Sequence, residues 1–252
     1  MSDTVLETSI GDFRLLDYRL HSGGREWSVL HTGAVMTDDD ETHVIVLKTN
    51  RLPYGVSLWP AAIVLGHEIA TREAVIKGKR VLELGSGTGL PGIIAATLGA
   101  RVVQTDRDEL VLHLCRKNGE RNNVEGVEYR LADWTAWEET GQYDWIIGAD
   151  ILYGASLHPH LQKIFETNLA PGGKLLLADP FRGDGIRMME TLEKAGWDLK
   201  FDQWDVGEEG QPRPIGVFEL VPPSKEAPPP RTTPTFRIPP NPRPATPPGA
   251  TT

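Results

Sequence analysis

The residues most able to do chemistry begin with a glycine-rich stretch, VLELGSGTGLPG, at residues 81–92. An apolar run typical of a strand precedes the glycines, and a segment typical of a helix follows them. Gly85, Gly87 and Gly89 would let the backbone approach a ligand closely where that strand ends. Leu90 stands where the G-x-G-x-x-G motif has its third glycine, so the spacing disfavours a dinucleotide.

Two carboxylates accompany these glycines. Asp106 ends the next strand-like run, RVVQTD, 21 positions after Gly85. An acid at about this distance is placed to accept hydrogen bonds from ribose hydroxyls. Glu83 lies two residues before the loop, where a carboxylate disfavours a pyrophosphate and favours an amino-bearing group. Together they indicate a cofactor that carries a nucleoside and an amino group.

The E-x-G-x-G-x-G form of the loop resembles the class I (seven-β-strand) S-adenosylmethionine-dependent methyltransferases, over about residues 56–220. The resemblance implies S-adenosyl-L-methionine as the cofactor, with dinucleotide binding a distant second. It also implies a seven-stranded sheet whose last strand is reversed. The cofactor-binding residues expected from it are Trp59, Glu83, Gly85, Ser86, Gly87, Gly89, Asp106, Arg107, Asp133, Trp134 and Ala149.

The third strand-like run ends in LADW, which supplies Asp133 and Trp134. In the class I family, an acid at this point reaches the adenine amino group and a neighbouring residue packs against the ring. The resemblance carries those roles to Asp133 and Trp134. A core tryptophan beside a helix-capping aspartate is the structural alternative.

The fourth strand-like run ends in YDWIIGADILYG, with Asp150 and Tyr153 in a D-x-x-Y pattern. Together with LWPAA at residues 58–62, this pattern resembles the protein-lysine methyltransferase group, of methyltransferase family 16 type. The resemblance implies that Asp150 and Tyr153 are the catalytic pair that lines the acceptor site. It also implies that Trp59 lies near the methionine end of the cofactor; a core tryptophan at a helix start is the alternative.

Two further motifs follow. LLLADPFR contains Asp179 and Arg182 and most resembles the branch of that group that acts on the electron-transfer flavoprotein β-subunit. His158 and His160 lie just beyond the D-x-x-Y pattern, and no third ligand has a clear metal-site spacing. We interpret both histidines as polar residues at a helix start and expect no metal site.

Alternating strands and helices must position these residues. From Arg80 onward, short apolar runs alternate with amphipathic segments, which indicates a parallel sheet with helices on both faces. The runs WDLKFDQW and IGVFELV leave no room for a helix between them, so we expect an antiparallel pair at the end. The prediction is an α/β, Rossmann-like doubly wound sheet of seven strands with the last strand antiparallel.

Three segments are expected. Residues 1–55 carry the runs FRLLDYRL, EWSVLHT and HVIVLK and predict a small antiparallel β element. Residues 56–221 form the S-adenosylmethionine-binding domain, which opens with a long helix-like segment from Val56 to Ile76, entered just after Pro60. Residues 222–252 hold twelve of the twenty prolines and predict a disordered tail, with a proline-motif ligand for a partner domain as the alternative.

Composition limits the partners. The net charge of −9 argues against nucleic acid, because nucleic-acid-binding surfaces need basic residues. The tail carries +3 and the rest −12, which fits a basic partner or a small molecule better. Cys115 is the single cysteine, which suits a reducing compartment. The N-terminal residues have no targeting pattern and no apolar run approaches membrane-spanning length, so we expect a soluble, cytoplasmic protein without a membrane partner.

Three functions remain open. The leading one is methyl transfer to a lysine of a protein substrate. A small-molecule N-, O- or S-methyltransferase is the second, because the fold and cofactor site do not define the acceptor. The third is a non-catalytic, cofactor-binding scaffold. Nucleic-acid methylation is disfavoured, since the sequence lacks the Pro-Pro-Tyr motif of base-amine methyltransferases and a Pro-Cys nucleophile.

Overall fold

The computed structural model describes residues 5–9, 11–35, 53–138, 141–207 and 212–223, and the backbone of 243–244. Its first strands are β1 (Val5–Thr8), β2 (Gly11–Arg14), β3 (Leu16–Ser22) and β4 (Arg25–His31). They form two separate antiparallel pairs, β1–β2 and β3–β4. The run FRLLDYRL is divided at the buried Leu15, where two successive leucines break the alternation of a single strand. The expected strand HVIVLK lies outside the described residues.

The main sheet contains β5 (Arg80–Leu84), β6 (Arg101–Asp106), β7 (Glu128–Leu131), β8 (Tyr143–Ala149), β9 (Leu169–Asp179), β10 (Asp198–Val206), β11 (Arg213–Val221) and β12 (Arg243–Pro244). Their order is β12-β10-β11-β9-β8-β5-β6-β7. Strands β5 to β9 are parallel, and β11 is antiparallel to both neighbours, β9 and β10. The predicted seven-stranded sheet with a reversed last strand is confirmed. The two-residue β12, from the proline-rich segment, adds an edge strand that was not predicted; the rest of the tail from residue 224 onward lies outside the described residues.

The strand order changes direction at β5. This strand pairs with β6 on one side and with β8 on the other, so the segments that leave β5, β6 and β8 share one edge. Ligands of open parallel sheets bind at the carboxyl ends of the strands, beside such a switch point. The topology therefore brings the glycine loop, Asp106 and the D-x-x-Y segment to the edge where a ligand is expected.

The helices are α1 (Pro60–Ala70), α2 (Glu73–Ile76), α3 (Leu90–Thr97), α4 (Glu109–Arg121), α5 (His158–Asn168) and α6 (Gly183–Lys194). The long helix-like segment expected from Val56 to Ile76 is wrong in its extent. Pro60 occupies the first helical position, where its missing N–H costs nothing, and α1 ends at Ala70. Arg72 leaves the helical conformation, and α2 follows as a separate turn. Among the described helices, none has the length and apolar character needed to cross a membrane.

Apolar side chains pack against both faces of the sheet. On one face, a buried cluster combines residues of α1 and α3 with residues of the β3–β4 hairpin. On the other, residues of α5 and α6 pack against the central strands. Trp27 of β4 is 3% exposed, and its Nε1 donates to Thr97 Oγ1 of α3 at 2.7 Å. The β3–β4 hairpin therefore shares a hydrophobic core with the sheet.

An ion network fastens the end of α1 to β9 and β11. Glu219 accepts from Arg72 Nη1 at 2.6 Å and from Lys174 Nζ at 2.7 Å. Arg72 also donates to Glu68, which in turn accepts from Trp204 Nε1 at 2.9 Å. Burial raises the pKa of Glu219, but the hydrogen bonds and charges of Lys174 and Arg72 outweigh burial, and the net pKa is lowered. The carboxylate of Glu219 is thus stabilised in its charged form.

Replacing this carboxylate should cost stability. Glu219→Gln is expected to lower the free energy of unfolding by about 1–3 kcal/mol near neutral pH, because two cations lose their charged partner. Since the folded pKa lies below the unfolded one, this stabilisation is present above the unfolded pKa and is lost as pH falls through the folded pKa. Urea unfolding near neutral pH and at about pH 3 should therefore show a difference from the wild type that shrinks in acid.

Glu128→Gln is the matched control for this variant. It removes the ion pair between Glu128 and Arg130, whose side chains are 54% and 36% exposed, so it should change stability by less than about 0.5 kcal/mol. Equal losses in the two variants, or a Glu219→Gln difference that does not change with pH, would contradict the assignment.

Candidate functional site

The glycine loop joins β5 to α3, and its three glycines have positive φ: 63° at Gly85, 53° at Gly87 and 84° at Gly89. A side chain would strain each of these left-handed conformations, which explains why glycine occupies them. Ser86 anchors the loop to β6, because its backbone N and its Oγ both donate to the Thr105 carbonyl, at 2.9 and 3.1 Å. The loop is thus held over the end of the sheet, with Gly85 and Gly87 partly exposed.

Glu83 lies beneath this loop. It is 2% exposed, and its Oε2 accepts from Gln104 Nε2 at 2.6 Å. Burial raises the pKa of Glu83 to about 7, although hydrogen bonds from Gln104 and from the Gly92 N–H lower it. The contacts of Glu83 are therefore with the neighbouring strand and the first turn of α3, and its expected contact with the cofactor stays a prediction.

Gln104 is a residue that the sequence analysis missed. Its buried side chain also donates to the Gly89 carbonyl at 3.0 Å and accepts from Cys115 Sγ of α4 at 3.3 Å. It thereby connects β5, the glycine loop and α4. The signal for it was present in the sequence, because an amide inside the apolar run RVVQTD must find hydrogen-bond partners when it is buried.

Asp106 lies at the end of β6, directly beside the glycine loop. Its Oδ2 accepts from the Gly87 N–H at 3.2 Å, and its Oδ1 from the Asp108 N–H at 3.3 Å. Burial raises the pKa of Asp106, and these backbone hydrogen bonds, with one from Arg107, partly oppose the rise. The side chain of Arg107 is exposed. The structure thus brings Asp106 and the glycines together, while hydrogen bonding of Asp106 to a ribose remains an expectation.

Asp133 and Trp134 follow β7. Asp133 Oδ1 accepts from the backbone N and from Oγ1 of Thr135, both at 2.8 Å, and these two bonds lower its pKa. The Trp134 ring packs beside Gly85, where a Cβ would lie 3.2 Å from Cζ2. The contacts match the structural alternative of a capping aspartate beside a packed tryptophan. They also put the tryptophan next to the loop, and the adenine roles of both residues are untested.

Asp150 begins the segment that follows β8. Ala149 is the last residue of that strand, and Asp150 has a φ of 57°. Its backbone N donates to the Ala178 carbonyl of β9 at 2.8 Å. The carboxylate is 7% exposed and forms an ion pair with Arg182. Asp150 is therefore a nearly buried charge at the junction of two parallel strands.

Tyr153 is half-exposed, and its hydroxyl responds to charges from two strand ends. Burial of the hydroxyl raises the pKa of Tyr153, Arg107 lowers it, and Asp106, Asp150 and Tyr54 raise it further. Asp106, an expected cofactor ligand, and Asp150, an expected acceptor residue, are therefore both close enough to the Tyr153 hydroxyl to change its pKa.

Trp59 stands at the N-cap of α1 and is partly buried. Its Nε1 donates to the Tyr54 carbonyl at 3.1 Å, and the two rings meet edge to face with centroids 6.1 Å apart. The guanidinium carbon of Arg182 lies 5.8 Å from the centroid of the Trp59 ring. Trp59 thus takes the helix-start position and also faces the group that contacts Asp150, whereas its expected cofactor contact is untested.

Asn118 of α4 and Asn122, the C-cap residue that follows this helix, hold the β3–β4 hairpin by its backbone. Asn118 accepts from the Leu30 N–H at 2.7 Å and donates to the Leu30 carbonyl at 3.0 Å. Asn122 makes the same pair of bonds with Ser28, at 3.0 and 2.7 Å. Asn118 also donates to the Thr88 carbonyl at 2.9 Å and so reaches the glycine loop. The spacing of four residues puts both amides on one face of the helix, but their partners could not be read from the sequence.

Removing the side-chain amide of Asn118 should affect both stability and ligand binding. Asn118→Ala is expected to destabilise the protein by about 2–4 kcal/mol, because three buried backbone groups lose their partner. It should also weaken binding of S-adenosylmethionine, the expected cofactor, since Thr88 loses an anchor. Asn122→Ala should destabilise the hairpin and leave cofactor affinity unchanged. Thermal unfolding and calorimetric titration measure the two effects, and equal cofactor affinity in both variants would contradict a link from Asn118 to the loop.

The residues at this edge fit S-adenosylmethionine. The loop offers backbone in place of side chains, and a Cβ at Gly89 would lie only 2.5 Å from Cys115 Sγ. A carboxylate at Asp106 adjoins the loop and an aromatic ring at Trp134 flanks it.

Within the described ranges, no three His, Cys, Asp or Glu side chains are grouped as a metal ion would require. His158 begins α5, with its Nε2 3.1 Å from the Leu152 carbonyl.

Comparison of the sequence with known proteins gives consistent matches. A profile of the family described as lysine methyltransferase matches residues 38–188. Protein N-lysine methyltransferase METTL21A of Xenopus tropicalis is 38% identical over 173 residues, which cover 64% of this chain and 80% of that protein. The METTL21A protein of Danio rerio is 39% identical over 135 residues, covering 50% and 61%. Histone-arginine methyltransferase METTL23 of Mus musculus is 35% identical over 163 residues, covering 61% and 60%.

Solved structures share the fold. The 16S rRNA N2 G1207 methyltransferase RsmC of T. thermophilus, in complex with AdoMet and guanosine, has a TM-score of 0.56 and 20% identity, covering 82% of this chain and 50% of that one. The N-methyltransferase NodS of Bradyrhizobium japonicum WM9, in complex with S-adenosyl-L-homocysteine, has a TM-score of 0.53 and 16% identity, covering 65% and 88%. At these identities the likeness shows the architecture alone.

Proposed function

The chain belongs to the lysine methyltransferase family, and on that premise we propose that it transfers a methyl group from S-adenosylmethionine to the side-chain amine of a lysine in a protein. The family match at residues 38–188 includes the glycine loop, Asp106, Asp150 and Tyr153. The relatives named as protein N-lysine methyltransferases support a protein lysine as the acceptor.

The convergence of three strand ends is the observation that best supports this function. The glycine loop follows β5, Asp106 ends β6, and the Asp150 to Tyr153 segment follows β8, the other neighbour of β5. Burial raises the pKa of Tyr153, Arg107 lowers it, and Asp106 and Asp150 raise it, which fits strand ends that lie close together. This arrangement favours a cofactor site that adjoins an acceptor site, which methyl transfer requires.

The chain would contribute mainly positioning. S-adenosylmethionine supplies a methyl group on a sulfonium, which is already activated for in-line displacement. The glycine loop backbone and Asp106 would hold its nucleoside and amino-acid parts, with Trp134 and Asp133 at the adenine. Asp150 and Tyr153 would bind the acceptor, and Trp59 would form a wall between the two. We assign these roles from the positions of the residues at the strand ends.

The acceptor amine must lose its proton before its lone pair can attack the methyl carbon. Lysine has a pKa of about 10.4 in water, and desolvation in a narrow channel lowers that value. A carboxylate favours the ammonium form, so Asp150 would attract and orient the side chain rather than deprotonate it. The proton would pass to water. The Tyr153 hydroxyl would form one hydrogen bond with the amine, either as donor or as acceptor.

The charge and the single cysteine of the chain bear on its substrate and its site of action. A substrate with a basic, lysine-presenting surface is favoured, because the chain outside its tail carries −12. A cytoplasmic site of action is part of the proposal and rests on the single, buried cysteine, Cys115, which suits a reducing compartment.

A protein arginine is the second candidate acceptor. The 35% identity to a protein named histone-arginine methyltransferase favours it. The two acceptors differ chemically, because a guanidinium stays protonated at any physiological pH and spreads its charge over three nitrogens. An acceptor site for arginine must therefore orient the guanidinium without first removing its charge.

Labelling of a cell lysate tests the proposal. The purified protein is incubated with S-adenosylmethionine labelled in its methyl group, and labelled protein bands are hydrolysed to amino acids. We expect label in protein as methyllysine, and no such label with an Asp106→Ala variant. Methylarginine would establish the second candidate instead. Label confined to low-mass material, or no label from a protein that binds the cofactor, would overturn protein methylation.

A further inference from the structure

Two nearly buried carboxylates stand at the ends of adjacent parallel strands. Asp150 follows β8 and Asp179 ends β9, and the preceding residues, Ala149 and Ala178, are paired across the two strands. The Asp150 side chain is 7% exposed, and Asp179 is 1% exposed. Because both carboxylates are nearly buried, a negative charge on one raises the free energy needed to ionise the other. A nearby cation is therefore needed if both are to be charged.

Arg182 is the cation that lies over this pair. Its Nη1 forms an ion pair with Asp150 Oδ1, and its backbone N donates to Asp179 Oδ1 at 3.1 Å. Its guanidinium carbon is 5.8 Å from the centroid of the Trp59 ring. The Arg182 side chain is 31% exposed, whereas the carboxylate of Asp150 with which it pairs is only 7% exposed.

Asp179 has unused capacity for a cation. Its Oδ2 is buried and has no hydrogen-bond partner among the described residues. Burial and the charge of Asp150 raise the pKa of Asp179, and Arg182 partly opposes them, which leaves it at about 7. A second donor at this position would therefore be bound favourably.

The backbone next to Arg182 is anchored independently of its side chain. Phe181 has a φ of 58°, and its ring meets those of Phe218 and Phe201 edge to face, with centroids 5.8 and 6.4 Å apart. Arg182 itself is the N-cap residue of α6. Rotation of the arginine side chain away from Asp150 would therefore leave Phe181 and the helix in place.

The guanidinium is held by the features that recognise any alkyl cation. A carboxylate supplies an ion pair, and an aromatic face supplies a cation–π contact, which lysine ammonium groups also make. These features lie at Asp150, which would bind the acceptor, and at Trp59, the proposed wall between cofactor and acceptor. The Arg182 side chain, like the lysine of a substrate, is thus an alkyl chain that ends in a cation, and it belongs to the protein itself.

We propose that Arg182 occupies the acceptor's cation site in the free protein, and that this site consists of Asp150, Asp179 and the Trp59 ring. A lysine of the substrate takes the place of the guanidinium when it binds. The inference rests on the proposed function for the identity of the substrate cation. It adds Asp179 to the acceptor site. It also makes Arg182 an internal competitor, which a substrate side chain without a positive charge would not displace.

Binding of a lysine side-chain analogue measures this competition. An internal competitor lowers the apparent affinity of an external cation by the fraction of time for which the site is open. If Arg182 fills the site for more than about nine-tenths of the time, n-butylammonium should bind Arg182→Ala at least about ten-fold more tightly than the wild type. Saturation-transfer NMR on the full chain, without cofactor, reports this binding in the millimolar range.

Matched variants identify the site. Arg187→Ala removes another arginine of the same region, one that is 65% exposed and pairs with Asp184, and it should bind n-butylammonium as the wild type does. The double variant Arg182→Ala/Asp150→Asn should lose the gain. Neutral 1-butanol should show no gain in any variant. Arg182→Met keeps most of the side-chain length without charge and replaces Arg182→Ala if the latter does not fold.

Two outcomes separate this inference from the proposed function. A folded Arg182→Ala protein that binds n-butylammonium no better than the wild type would overturn the inference, even if lysate proteins are methylated normally. A ten-fold gain without any labelled lysate protein would support exchange at the cation site and overturn lysine methylation.

Discussion

Asp150→Asn should reduce methyl transfer to lysate protein by about 100-fold, because the acceptor side chain would lose the charge that we propose attracts and orients it. Affinity for S-adenosylmethionine should change by less than about two-fold, since the glycine loop and Asp106 are unaltered. The substitution is mild for the backbone: Asp150 has a φ of 57°, a conformation that asparagine adopts more readily than most residues. Initial rates and a calorimetric titration of the same preparation give both quantities.

Asp144→Asn is the control at the other end of the same strand. Asp144 accepts from the Arg80 N–H at 2.9 Å and from Lys79 Nζ at 3.2 Å, on the edge of the sheet away from the glycine loop. This variant should lose a little stability and keep full transfer. Full turnover by Asp150→Asn would show that Asp150 does not orient the acceptor.

Gly89→Ala should abolish measurable cofactor binding and destabilise the protein by about 2–5 kcal/mol. Alanine at a φ of 84° costs about 1–2 kcal/mol in backbone strain. The new Cβ would also lie 2.5 Å from Cys115 Sγ, and relieving that overlap must move the loop or α4, at a further cost of about 1–3 kcal/mol. Thermal unfolding and titration with S-adenosylmethionine measure the two effects.

Two variants separate strain from overlap. Gly24→Ala has a similar φ of 76° in the β3–β4 turn, where a Cβ meets nothing within 4 Å, so it should cost about 1 kcal/mol and leave cofactor binding intact. Adding Cys115→Ala to Gly89→Ala removes the sulfur and should restore part of the lost stability. If the double variant is no more stable than Gly89→Ala, the overlap with Cys115 is not the cause.

The fold was largely predictable because its signals are local. The apolar runs at β5, β6 and β8 and the intervening amphipathic helices follow from periodicity, and the short link between β10 and β11 leaves room only for an antiparallel pair. Positions of Gly85, Asp106 and Asp150 at one edge then follow from the topology of a parallel sheet.

What the sequence could not supply depends on contacts between distant segments. The reach of Asn118 from α4 to both Leu30 and Thr88, and the path of Gln104 between Glu83 and Cys115, depend on how helices pack on the sheet. Local propensity also misled at α1, since the helix-like segment continues through Thr71 and Arg72 without a glycine or proline at that point, although the helix ends at Ala70. The two-residue strand β12 has no periodicity from which it could be recognised.

Arg182 illustrates the same limit at the site. The sequence put Asp179 and Arg182 in one motif, yet the ion pair joins Arg182 to Asp150, which is 32 positions away. The pairing arises because β8 and β9 are neighbours and because Phe181 turns the chain back toward the sheet edge. The motif that was interpreted only as a marker of a family branch therefore lies beside Asp150, in the proposed acceptor region.

The central claim is that the edge formed by the glycine loop and Asp106 binds S-adenosylmethionine. Calorimetric titration of the full chain with S-adenosylmethionine and with S-adenosylhomocysteine, beside an Asp106→Ala variant, tests it most directly. We predict dissociation constants on the order of micromolar for both ligands with the wild type, and no detectable heat with the variant. Absence of binding by folded wild-type protein would contradict the claim and would make the glycine loop a structural turn.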